Sequence, residues 1–277
     1  RAHYRFRVTA YTSGYATVSL SYAGGSRTGL ARITSYSSDT VVGFESITAF
    51  GGTSATRDWR EPMWSDDLGW PRVPRLFDGR LFWFLKDLAF ASVSDDFDNY
   101  DDSVEGDSGP IIRSVGTGAA KGVRWALDMQ RLIAGTGGQE ASIRSSSFDE
   151  PLTPTAFTVR NASTQGVANV PAVKIDRGAI YVQRSGRRLY EMLYSVETND
   201  YTSSDVSRLN PGALESGVVA LAVQRQPDTR VYIVLNSGVC CVLTYERDDK
   251  VVAFTQIETD GWIEDVAVLP NDDQDDV

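Results

Sequence analysis

At 277 residues and 42% hydrophobic side chains, the chain is long enough for one large domain or two smaller ones and can bury a sizeable core. A formal net charge of −10 makes the field of the whole chain repel nucleic acid, and no apolar run approaches the roughly 20 residues a membrane-crossing helix needs. Two adjacent cysteines, Cys240 and Cys241, and one distant histidine, His3, cannot build a tetrahedral zinc site.

Residues 1–60 predict a small antiparallel β domain with one wet face. Residues 4–11 and 16–22 alternate apolar and polar side chains, 41–50 forms a further run, and Gly24-Gly25-Ser26 and Gly51-Gly52-Thr53 separate or close these strands. This pattern has no copy later in the chain. A linker-like segment comes next, with Trp59, Trp64 and Trp70 set among Pro62, Gly69 and Pro71. Large side chains pinning an ordered loop between the small domain and the first repeat explain it, and an aromatic sugar-binding platform is the functional alternative.

Residues 61–277 predict stacked β meanders. The stretch 217–261 holds four strand signals in a row, 218–223, 231–235, 239–245 and 251–257, separated by Gln226-Pro227-Asp228, Asn236-Ser237-Gly238 and Arg247-Asp248-Asp249-Lys250. Turns this short join antiparallel neighbours. The first two strands and their turn recur as VPRLFDGRLFWF from Val73, VRWALDMQRLIAG from Val123 and VPAVKIDRGAIYVQR from Val170, and a further copy begins at Ile263. The turn residues Asp78, Asp128, Asp176, Asp228 and Asp272 are spaced by 50, 48, 52 and 44 positions. A four-strand unit of about 45–50 residues is the repeat of a β-propeller blade, so an all-β fold of about four blades plus the start of another is expected. A large sandwich with accidental spacing is the competing architecture. The sequence starts at Arg1 without a methionine and stops within a repeat, which reads as a piece of a longer protein.

Within the repeats, 81–85 continues the first unit, 132–135, 140–144 and 157–160 belong to the second, and 179–183 and 188–194 to the third. The fourth strand of the third unit is poorly marked, and 203–215 reads as loop or short helix. Cys240 and Cys241 sit side by side in a strand, where successive side chains point to opposite faces, so they form no bridge. A fold independent of disulfides is compatible with a reducing cytosol.

Several motifs suggest chemistry. The run 95–107 carries six aspartates and Glu105, but lacks the glycine and spaced glutamate of a calcium loop, so a solvated loop is expected. Gly106-Asp107-Ser108-Gly109-Pro110 is similar to a serine-protease nucleophile segment, but the only histidine, His3, lies at the chain start without a recognisable motif. Gly116-Thr117-Gly118-Ala119-Ala120-Lys121 lacks phosphate-loop spacing. No catalytic, cofactor or metal residues are assigned. Carboxylates and arginines are plentiful enough that composition does not exclude a propeller hydrolase, although the Ser-x-Asp-x-Gly-x-Thr-Trp boxes of sialidases are missing.

Trp64-Ser65-Asp66 with Gly69-Trp70-Pro71, Gly79-Arg80-Leu81, Leu132-Ile133-Ala134-Gly135-Thr136 and Pro151-Leu152-Thr153-Pro154-Thr155 occur in that order. Val182-Gln183-Arg184-Ser185-Gly186-Arg187-Arg188-Leu189, Leu243-Thr244-Tyr245-Glu246-Arg247 and Thr259-Asp260-Gly261 complete the series. Over residues 59–270 the chain resembles the tail tube and nozzle proteins of short-tailed bacteriophages, the tail tubular protein B family. The resemblance implies a structural subunit of a phage or prophage virion tail, assembled with copies of itself in a ring through which DNA exits, with neighbouring tail or portal-adaptor proteins as partners. It implies no catalysis and no cofactor. DNA would pass the lumen without specific binding, which the acidic charge suits. Localisation in the virion tail is implied, with the host cytoplasm as the place of assembly. A tail-associated propeller glycan-binding module or glycosidase is the alternative.

Overall fold

The computed structural model describes residues 15–22, 25–38, 40–50, 59–60, 63–65, 68–102, 104–116, 122–146, 150–247, 249, 251–271 and 276. Strand makes up 51% and helix 4%, so the protein is all-β, and its sheets are open, four-stranded and antiparallel. The chain separates into two compact units, Arg1–Pro71 and Arg72–Val277.

In the first unit, β1 (Tyr15–Tyr22), β2 (Gly25–Ser38), β3 (Val41–Ser46) and β4 (Trp59–Arg60) form one sheet in the order β3-β2-β1-β4. The predicted runs 16–22 and 41–50 correspond to β1 and β3, while 4–11 and Gly51-Gly52-Thr53 lie outside the described residues. Two features depart from the sequence reading. The 14-residue strand β2 went unmarked, because RTGLARITSYSS is polar and lacks a sustained alternation. The segment read as a linker begins with a strand, since Trp59 and Arg60 pair with Val18 and Thr17 and so satisfy backbone groups on the free side of β1.

The second unit is four meanders of consecutive strands. The first sheet is β5 (Val73–Phe77), β6 (Arg80–Leu85), β7 (Leu88–Ala91) and β8 (Ile111–Ser114). The second is β9 (Val123–Asp128), β10 (Leu132–Thr136), β11 (Glu140–Arg144) and β12 (Thr158–Ser163). The third is β13 (Val173–Ile175), β14 (Gly178–Val182), β15 (Leu189–Ser195) and β16 (Asp200–Asp205). The fourth, β17 (Val218–Gln224), β18 (Arg230–Leu235), β19 (Cys240–Glu246) and β20 (Val251–Ile257), is the meander expected from 217–261, paired in sequence order. Strands β7, β8 and β16 are short or polar and were not legible beforehand. Residues 203–215 hold the end of β16 and two single 3-10 turns, at Val206–Leu209 and Pro211–Leu214, and the second inserts the fully buried Leu214 into the core.

The turn aspartates are only partly equivalent. Asp78 (φ 52°) and Gly79 (φ 68°) both adopt left-handed backbone between β5 and β6, as a two-residue hairpin of matched twist requires, and Asp176 (φ 45°) does so after β13. Asp128 instead ends β9, and the turn is made by the residues after it. Asp228 lies in the longer β17–β18 connection and pairs with Arg230 at 2.8 Å. Asp272 is outside the described residues.

Alternation along the central strands sorts neighbouring residues into different cores. Leu132 and Ala134 of β10 join Phe82, Phe84, Ala89 and Ile111 of the first sheet. Ile133, between them, joins Trp125, Leu127, Tyr181 and Met192, most of the way to the third sheet. On β14, Ala179 and Tyr181 face the second sheet, while Ile180 and Val182 meet Val231, Ile233, Cys241 and Leu243 of the fourth. The four sheets therefore stack face to face in chain order through three shared cores. Each fully buried Leu or Ile contributes about 1.5–3 kcal/mol through burial.

After β20 the described residues belong to no sheet, so the repeat expected from Ile263 is not built as a strand among them. It is anchored at two turns of the fourth sheet instead. Ile263 N–H donates to Gly238 O at 3.0 Å, and Asp276 Oδ2 accepts from the N–H groups of Arg225 (2.7 Å) and Gln226 (3.1 Å). Those bonds satisfy backbone groups locally, at turns, and form no ladder.

Candidate functional site

The feature that recurs between sheets is a seam of basic side chains along their first strands. Strand β5 lies beside β9, and β13 beside β17. Arg75 of β5 donates from Nε to Ala126 O of β9 at 2.8 Å, and its Nη1 stands 3.4 Å from Asp128 Oδ1. Lys174 of β13 donates from Nζ to Asp128 O at 2.8 Å and lies 3.4 Å from Oδ2. Arg225, just after β17, reaches back to Lys174 O at 3.4 Å. Asp128 thus takes one cation from each neighbouring sheet. The turn motif placed it at the end of β9, where it can do so. These side chains are roughly 40% exposed, so each ion pair contributes at most about 1 kcal/mol. The bonds to backbone carbonyls fix the strand alignment.

The acidic run 95–107 is an exposed loop organised by one buried cation. Arg80, 2% exposed on β6, donates to Ser92 O and Gly109 O (2.7 Å each), to Ser108 O (3.4 Å) and to Asp107 O. Burial draws its pKa down, with Asp78 and Asp95 opposing. The segment similar to a nucleophile motif is therefore used for its carbonyls: Asp107, Ser108 and Gly109 wrap the guanidinium, and His3 lies outside the described residues. Tyr100 donates to Leu81 O at 2.9 Å, and burial, aided by Asp98, pushes its pKa up to about 12. No group of three or more potential metal ligands occurs among the described residues. Of the Gly116–Lys121 motif, residues 117–121 lie outside them.

In the aromatic segment, Trp64 is half-buried and Trp70 is 46% exposed. Cys240 and Cys241 are free and buried, and Cys241 faces the core shared with the third sheet. Burial pushes the Cys241 thiol up to about 11.

Sequence reading missed a polar layer between the second and third sheets. Glu140 is fully buried, and its two oxygens have no hydrogen-bond partner. Ser163 and the backbone of Gln165 and Gly166 lie toward it, but burial dominates and raises its pKa. Trp125 Nε1 and Ser142 Oγ, in the second sheet, are also unpaired, and Tyr181 and Ser203, in the third, lie in the same layer. Only pairing register reveals this layer, since Glu140, Ser142 and Arg144 share one face of β11. At the other interface Arg247 bonds Glu191, and although burial pulls its pKa down, Glu191 and Tyr245 outweigh that and raise it.

Fold and seam define a class, an all-β protein of consecutive four-stranded sheets stacked in chain order. No protein-family model and no curated protein matches the chain.

Proposed function

We propose that the second unit is a set of β-propeller blades and that the protein is a structural subunit of a phage or prophage tail, part of the tail tube or nozzle ring through which DNA leaves. The supporting observation is the seam: four meanders stack in chain order, and basic side chains join the first strands of successive sheets. Propeller blades stack in this way around a central channel, each with a four-stranded sheet. The ordered motifs from Trp64 to Gly261 add the family resemblance. In this reading the partners are further copies of the chain in a ring and the adjoining tail or portal-adaptor proteins. The net charge of −10 lets DNA pass without being held.

The test is mass spectrometry of purified particles together with electron microscopy of the purified protein. Peptides of this chain in virions and rotationally symmetric rings are expected. Particles that lack it end the tail assignment.

Exposure of Trp70 supports a second reading, a glycan-binding module. Saturable glycan binding without turnover by a protein missing from particles favours that reading over the first.

A further inference from the structure

The second unit contains a cleft whose chemistry none of the preceding functions uses. It has a volume of ≈ 440 Å³ and opens where the β5–β6 turn, the β9–β10 turn, the end of β11 and the end of β15 meet. That size suits a small molecule. Its lining mixes charges: Arg131 and Arg144, the carboxylates of Asp78 and Glu150, and the ring of Tyr194.

The two arginines differ in state. Arg131 is 6% exposed and already engaged: Nη1 lies 3.0 Å from Asp200 Oδ1, Nη2 donates to Asn199 Oδ1 at 3.3 Å, and the guanidinium sits 5.4 Å from the centre of the Tyr194 ring. Tyr194 OH donates to the same Asn199 Oδ1 at 2.6 Å. Together these contacts fix the tyrosine ring at the wall of the cleft. Arg144 is the reverse case. Its Nε is buried without a hydrogen-bond partner, and it forms no ion pair with a carboxylate among the described residues. Burial lowers its pKa, and the charges of Arg131 and Arg160 push the same way, outweighing Asp200. A guanidinium that lines a cleft beside other cations, with no carboxylate paired to it, favours an incoming oxyanion.

The acidic part of the lining narrows the ligand. Asp78 Oδ2 is occupied by the Leu152 N–H at 2.6 Å, while Glu150 is exposed at the rim. A bare polyanion would meet Glu150 with repulsion. A molecule with one acid group and several hydroxyls would place the acid on Arg144 and donate hydroxyls to the carboxylate side, with Tyr194 as an apolar face.

We infer that this cleft binds a hydroxylated carboxylic acid of monosaccharide size, its carboxylate held by Arg144. The inference rests on neither the ring nor the virion assignment, so each can fail without the other.

The test is calorimetric titration of the protein with glucuronate, with glucose and inorganic phosphate as comparison probes, for wild type, Arg144→Gln and Arg144→Lys. Saturable glucuronate binding is expected, with glucose and phosphate at least about tenfold weaker. Arg144→Gln should weaken glucuronate about tenfold or more while leaving the melting temperature in place. Should that variant not fold, Arg144→Lys decides, because it keeps the charge but loses the planar guanidinium and should also weaken binding. No saturation by about 10 mM, phosphate binding as tight as glucuronate, or folded variants binding as wild type would each overturn the inference.

Discussion

Trp125 on β9 lies over Gly135, its partner on β10, so closely that a Cβ on Gly135 would stand 2.4 Å from the indole Cε2. The glycine is thus the floor of the indole's site. Gly135→Ala is expected to destabilise by about 1–3 kcal/mol, lowering the melting temperature by roughly 2–12 °C. Scanning calorimetry checks this, and the loss should shrink in a Trp125→Phe background, where the smaller ring leaves room.

Replacing Arg80 with methionine removes the donor to four carbonyls of the 92–109 segment while keeping apolar bulk. A loss of about 2–4 kcal/mol is expected, together with faster proteolytic cleavage in the acidic loop. An unchanged cleavage pattern would show that the loop holds itself.

Glu140 sets a pH dependence of definite sign. Its folded pKa is raised above the ordinary carboxyl value. Stability from this group is therefore fully present below the unfolded pKa and is lost as pH rises through the folded one. Glu140→Gln removes that loss, so the variant should be the more stable by about 1–2 kcal/mol near pH 8 and equal to wild type near pH 4. Urea melts at the two pH values give the comparison.

Cys240 and Cys241 are buried, with thiol pKa values raised by burial. Thiol-reactive probes should leave both unmodified in the native protein near pH 8 and label both in denaturant. Native labelling at neutral pH would mean that the fourth sheet opens readily.

Asp128→Asn tests the seam. Its partners are partly exposed, so the change should cost no more than about 1 kcal/mol and fade between ~0.1 M and ~1 M salt. No loss at low salt would place the strength in the carbonyl bonds of Arg75 and Lys174, which the substitution leaves in place.

Much of the fold was legible because strands such as Val218–Gln224 and Leu132–Thr136 are apolar or β-branched and bounded by strong turn residues. Asp78-Gly79 marked its hairpin for the same reason. What escaped was set by partners distant in sequence. Strand β2 is polar, β4 is two residues long and exists only against β1, and β8 comes after the long excursion through 92–110. The sites escaped more completely. Arg144 looks like any strand-end arginine until pairing puts it on the face of Glu140 and turns from two sheets enclose it. The roles of Arg80 and Asp128 likewise depend on carbonyls and cations that folding brings near.

The placement of Leu132, Ile133 and Ala134 in two different cores has a consequence for how the sequence can change. Deleting one residue inside β10 would exchange the occupants of both interfaces at once, turning Ile133 toward the first sheet and its neighbours toward the third. Point replacements that preserve volume are absorbed by one interface. Length variation has no such local outlet within the strands, and it is confined to exposed parts of the connections, such as 95–98 in the acidic loop, where an added residue alters a loop and leaves every stacked face as it was.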